Sequence, residues 1–100
     1  MNLTNEFETI RDWARERGLY DQGNATTQCL KLQEEMGELS SAILKVDKEE
    51  VVDAIGDCVV VLTNLAEHYG VTIEDCINSA YNEIKNRKGK MINNTFVKDV

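Results

Sequence analysis

Not one of the chain's 100 residues is proline. Nothing in the backbone therefore forces a helix to break, and apolar residues recur at spacings of three and four through four stretches separated by glycine or polar residues. Phe7, Ile10 and Ala14 predict a first helix near residues 5–17, behind a Thr4 or Asn5 cap and stopped by Gly18. A second helix, 24–44, begins at the capping residue Asn24, and its stripe of Cys29, Leu32, Met36, Leu39 and Ile43 is expected to face the core. The third, 48–69, carries Val51, Ile55, Val59, Leu62 and Ala66, with Val60 and Val61 on its other face, so it is either central or at a subunit interface. Thr72 and Asp75 resemble a capping box for a fourth helix, 72–88, with Ile73, Ile77, Ala80 and Ile84 as its stripe and Gly89 as its stop.

Four helices with short links predict a single all-α domain over residues 1–100, bundle-like in architecture. The polar tail 90–100 places Asn93 and Asn94 between Met91-Ile92 and Phe96-Val97, which suits a short C-terminal hairpin or an extended arm.

Composition narrows the class. Hydrophobic residues make up 42% and charged residues 29%, a balance that favours a folded domain over disorder. No leader pattern opens the chain and no apolar run spans a bilayer, so a cytoplasmic protein without a membrane role is expected. Cys29, Cys58 and Cys76 are odd in number and widely spaced, which predicts buried free thiols, not disulfides or a zinc site. Residues 1–84 hold 17 acids against 6 bases, whereas residues 85–100 hold 5 bases against 1 acid. A body this acidic repels a phosphate backbone, and no nucleic-acid partner is expected. A small anion could still be held between a cation-loaded acidic site and the basic end.

The acids are patterned. Glu34, Glu35 and Glu38 fall within one turn of the second helix, and Glu50, Asp53 and Asp57 form a second stripe on the third. If the two helices pack antiparallel, the stripes can face one another and offer several hard oxygen ligands, suited to magnesium or manganese. Acidic helix faces are more commonly just solvated. Asp57 differs because Val60 and Val61 follow it on the same face, so its carboxylate needs a counter-charge or a raised pKa.

From Gln28 to Val97 the chain resembles the MazG-like nucleotide pyrophosphohydrolases, particularly the short forms of bacteriophages and prophages. The family's Glu-Glu-x-x-Glu signature stands here as Glu34-Glu35-Met36-Gly37-Glu38. Its second signature, Glu-x-x-Asp before an apolar run, is met by Asp57 and Cys58-Val59-Val60-Val61-Leu62, but Ala54 stands where the glutamate is usual. Asp53, or else Glu50, would then supply the absent ligand. A third feature, Asn-x-Lys with further bases, stands as Asn82, Lys85, Arg87 and Lys88.

The resemblance implies an all-α fold, a homodimer or homotetramer, magnesium dependence, and conversion of a nucleoside triphosphate, such as a dNTP, to monophosphate and pyrophosphate in nucleotide-pool house-cleaning. It implies Glu35, Glu38, Asp53 and Asp57 as metal ligands, and one of Glu34, Glu35 and Glu38 as general base. Asn82, Lys85, Arg87 and Lys88 would serve the phosphates, although bases at a helix C-terminus are equally explained by the helix dipole. Lys31 either pairs with Glu34 or Glu35 or touches phosphate. Trp13 and Tyr20 are base-contact candidates, because the family places such contacts around its first helix and following loop. His68 is expected at the surface. The alternative function is a non-catalytic nucleotide- or metal-binding helical oligomer, weakened catalytically by Ala54. A di-iron bundle is disfavoured because the chain's one histidine is not in a Glu-x-x-His motif.

Overall fold

The computed structural model describes residues 3–100. It is helical apart from a terminal hairpin: α1 Thr4–Glu16, α2 Leu19–Gln22, α3 Ala25–Leu44, α4 Lys48–Glu67, α5 Ile73–Ile84, β1 Gly89–Ile92 and β2 Thr95–Lys98. The all-α, bundle-like expectation holds, with two differences. Residues 19–22 form an extra single turn of helix, entered through Gly18 at φ 76°. The last helix ends at Ile84, not near 88.

Side-chain caps start three of the helices. Asn24 accepts from the Thr27 backbone N–H at 2.9 Å, Asp47 from that of Glu50 at 3.2 Å, and Thr72 from that of Asp75 at 3.1 Å. Each satisfies a first-turn amide that the helix itself leaves without a partner. α3 and α4 are joined by residues 45–47 alone and pack along each other as an antiparallel pair. α1, α2 and α5 all lie against α4, which is therefore the central helix.

The packing phase of α3 corrects the sequence expectation. Its buried positions are Glu35 and Ala42, with Leu32 and Leu39 half-buried between them, while Cys29, Met36 and Ile43 are exposed. On α4 the buried residues are Ala54, Val61, Thr63, Asn64 and Ala66, with Asp57 half-buried, so that of the expected stripe Ala66 is buried and Val51 half-buried whereas Ile55, Val59 and Leu62 are exposed. The most buried positions between the two helices are therefore mainly small or polar, with Val61 and the half-buried Leu32 and Leu39 as the aliphatic part, and much of the expected apolar stripe lies outside.

An ion pair ties α1 to α5. Arg11 donates to both oxygens of Glu74 at 2.7 and 2.9 Å, and its Nε lies 3.7 Å from Glu67 of α4. Arg11 is buried, so pairing is what makes its charge tolerable there. The cysteines are free as expected, but Cys29 and Cys76 are exposed.

β1 and β2 pair antiparallel from Gly89↔Lys98 to Ile92↔Thr95. Asn93 and Asn94 turn the chain with φ of 50° and 67°, the doubly left-handed turn that matches strand twist and that asparagine tolerates well. A Cβ at Gly89 would run into the Val97 carbonyl oxygen, which explains glycine at the hairpin's base. Both strands are exposed throughout. No helix among the described residues is long and apolar enough to cross a membrane.

Candidate active site

The antiparallel packing of α3 on α4 turns Glu35 and Glu38 toward Asp57. One oxygen from each of these three carboxyls lies within 4.8 Å of the others. Glu35 is 7% exposed, Asp57 half-buried and Glu38 open to solvent, so the group sits at the mouth of the interhelical seam.

Its electrostatics are unbalanced. Lys31 Nζ lies 3.3 Å from Glu35 Oε1 and 3.8 Å from Glu34, one turn away along α3. The salt-bridge reading of Lys31 thus accounts for its position, and its pKa is raised, first by the Glu35 hydrogen bond. Glu35 Oε2 is buried with no hydrogen-bond partner among the described residues. The Glu38 carboxyl is pushed above its ordinary range, first by sharing a hydrogen bond with Glu35 and then by that group's charge. With both carboxyls ionised there is no donor between them, so either a shared proton or a cation must relieve the contact. Burial raises the Asp57 pKa, and the charges of Asp53 and Glu35 add to it. An orphaned buried oxygen beside two repelling carboxylates is a donor set that fits a hard divalent cation.

Of the cavities that border this group, two touch two of its three carboxyls each. One, of about 350 Å³, is bordered by Glu38 and Asp57 together with Glu50, Asp53 and Ala54. Asp53 and Glu50 thus both stand beside the acidic group, although neither belongs to the converging trio. The other, of about 360 Å³, runs from Glu35 and Asp57 to Lys31, Gln28, Asn64 and Trp13. Trp13 is 45% exposed and carries the Arg17 guanidinium 4.6 Å above its ring, so it is not a core residue. Asn82, Lys85, Arg87 and Lys88 are exposed at and beyond the end of α5, and they border neither cavity. Glu34 is solvent-facing, apart from its contact with Lys31.

Tyr20 lies on α2 and donates its hydroxyl to Asn64 Oδ1 at 2.6 Å. Its ring meets His68 edge-on at 5.8 Å. His68 is half-buried, with Nε2 enclosed and without a hydrogen-bond partner among the described residues, which corrects its expected surface position. Asn64 stands two turns beyond Asp57 on the same helix face, so its place beside the acidic row is readable from spacing alone.

A helical hairpin that brings three carboxyls together, one of them with a buried oxygen that has no hydrogen-bond partner among the described residues, defines an all-α protein with an acidic cluster between two helices. The chain belongs to the MazG nucleotide pyrophosphohydrolase domain family, whose model matches residues 23–92. Proteins of this family typically depend on a divalent metal. The chain is also similar to an uncharacterized 18.2 kDa protein of the rep-hol intergenic region of Haemophilus phage HP1, at 38% identity over 66 residues. That match covers 66% of this chain and 40% of the phage protein, so the chain spans about two-fifths of its relative's length. No solved structure matches significantly.

Proposed function

We propose that the protein hydrolyses nucleoside triphosphates, dNTPs among them, to nucleoside monophosphate and pyrophosphate in a magnesium-dependent reaction that clears the cytoplasmic nucleotide pool. The observation that carries this reading is the convergence of Glu35, Glu38 and Asp57, of which Glu35 also keeps a buried oxygen without a hydrogen-bond partner among the described residues. These three residues, joined by Asp53 from the adjoining cavity, would hold magnesium or manganese. The bound ion would neutralise charge on the phosphates. One of Glu34, Glu35 and Glu38 would take the proton of the attacking water. Trp13 offers an aromatic face to the base.

The active form is a homodimer or homotetramer. Met36, Ile43, Ile55, Leu62, Ile77 and Tyr81 are exposed in the single chain, apolar surface that a second copy would cover. The Cα radius of gyration, 15.9 Å, also exceeds the roughly 13 Å of a compact chain of 100 residues. In the assembly, Asn82, Lys85, Arg87 and Lys88 of one subunit reach the phosphates held by another.

Pyrophosphate release from a nucleotide panel, with and without magnesium, tests the reading. Sustained magnesium-dependent release that disappears in Glu38→Ala and Asp57→Ala, with helix content intact, is expected. Silence across the panel favours a non-catalytic binder of nucleotide or metal, for which Ala54 in place of the usual glutamate is the supporting observation.

A further inference from the structure

The cavity of about 360 Å³ beside the acidic group holds one amide whose hydrogen-bonding direction is fixed from behind. We infer that Tyr20, by drawing Asn64 Oδ1 to its hydroxyl, leaves Asn64 Nδ2 as the group that meets the cavity, so that the site selects a pyrimidine with a keto oxygen at the 4-position, as in uracil, over one with an amino group there, as in cytosine. This rests on the nucleotide reading above and adds the substrate class and the residue that sets it.

The direction of the Tyr20–Asn64 bond follows from its length. At 2.6 Å it suits O–H···O, and it is shorter than the N–H···O range. The tyrosine hydroxyl is therefore the donor and the amide oxygen the acceptor. The remaining polar atom of Asn64, Nδ2, can only donate. Asn64 is 2% exposed on the central helix, so it cannot swing away to solvent to present its other face. Tyr20 is held in turn, with His68 at its ring edge and the Arg15 guanidinium 5.7 Å from its centroid. Burial pushes the Tyr20 hydroxyl pKa up, which keeps its proton in place as the donor.

A keto oxygen offered to Nδ2 accepts its hydrogen bond, whereas an exocyclic amino group meets it donor to donor. A site that already holds a fixed donor discriminates through the unpaired group as much as through the paired one. Tyr20 acts as a positioning residue, because it reaches substrate through Asn64.

The test uses binding, so that it does not depend on turnover. Affinities of the non-hydrolysable α,β-imido analogues of dUTP and dCTP are measured by calorimetry with magnesium, on the full chain and on Tyr20→Phe, with helix content as a folding control. The wild type is expected to favour the uracil analogue by at least about tenfold, and Tyr20→Phe to narrow the ratio to about twofold by weakening uracil binding. A purely structural tyrosine would weaken both analogues equally and leave the ratio unchanged. That result, a wild-type ratio near unity, preference for cytosine, or no binding of either analogue overturns the inference. If keto preference is present and Tyr20-dependent while pyrophosphate release is absent, the hydrolytic reading fails and this one stands.

Discussion

Lys31 Nζ lies 3.3 Å from Oε1 of Glu35, while Oε2 of the same buried carboxylate has no partner among the described residues. The lysine therefore offsets part of the charge that would otherwise attract a cation. Lys31 is about half exposed, so its pull is screened and it competes with metal only modestly. Lys31→Met is expected to lower the half-saturating magnesium concentration about threefold, read from the thermal midpoint during a metal titration. A rise would mean that Lys31 supports the ion, and would count against its role as an internal competitor.

Glu34 and Glu35 are sequence neighbours with opposite expectations. Glu35 is buried in the converging trio, whereas Glu34 faces solvent. Magnesium at ten times its dissociation constant should stabilise the wild type by about 1.4 kcal/mol. Glu35→Gln should abolish that increment and Glu34→Gln should retain most of it, as chemical denaturation with and without magnesium will report. Equal loss in both would mean that the ion is not centred on Glu35.

Much of this arrangement was legible in the sequence, because the Glu-Glu-x-x-Glu spacing and the row through Asp57 are helical periodicities that survive folding unchanged. What misled was the packing phase of α3. Cys29, Met36 and Ile43 mark the most apolar stripe, yet the face turned to α4 carries Glu35 and Ala42. Apolar periodicity says which side chains need covering, and in this chain the seam between α3 and α4 is given to the carboxylates, leaving the aliphatic stripe outside. Long-range pairings such as Arg11 with Glu74, 63 residues apart, have no local signature and could not be read at all.

That ion pair sets a pH dependence. Arg11 holds the Glu74 carboxyl below its usual 4.5, chiefly by hydrogen bonding, so the folded state resists protonation more than the unfolded chain does. Its contribution is complete above 4.5 and is lost as pH falls through the lower folded value. Glu74→Gln should cost about 1–2 kcal/mol at neutral pH, since it strips a nearly buried guanidinium of its main partner. The gap between variant and wild type should close as pH drops below 4.5, measured by urea unfolding across a pH series in metal-free buffer. A pH-independent gap would show that the loss is one of packing.

Val46 closes α3 with φ 57°, a conformation that glycine adopts freely and a β-branched residue does not. The Val46 and Asp47 amides return to the Ile43 and Ala42 carbonyls at 3.1 Å each, the paired bonds of a Schellman ending. α4 ends with the same bonding pattern, from Gly70 to Glu67 and from Val71 to Ala66, but there glycine occupies the left-handed position at φ 71°. Val46 is 89% exposed, so its side chain offsets little of the strain by packing in the single chain. A left-handed conformation costs a non-glycine residue about 1–2 kcal/mol, and the extra freedom glycine brings to the unfolded chain returns part of that. Val46→Gly should therefore stabilise the protein by about 0.5–1 kcal/mol in urea unfolding at low protein concentration. Destabilisation instead would mean that the exposed valine is covered in the assembled protein, with the strain tolerated because a second subunit packs on it.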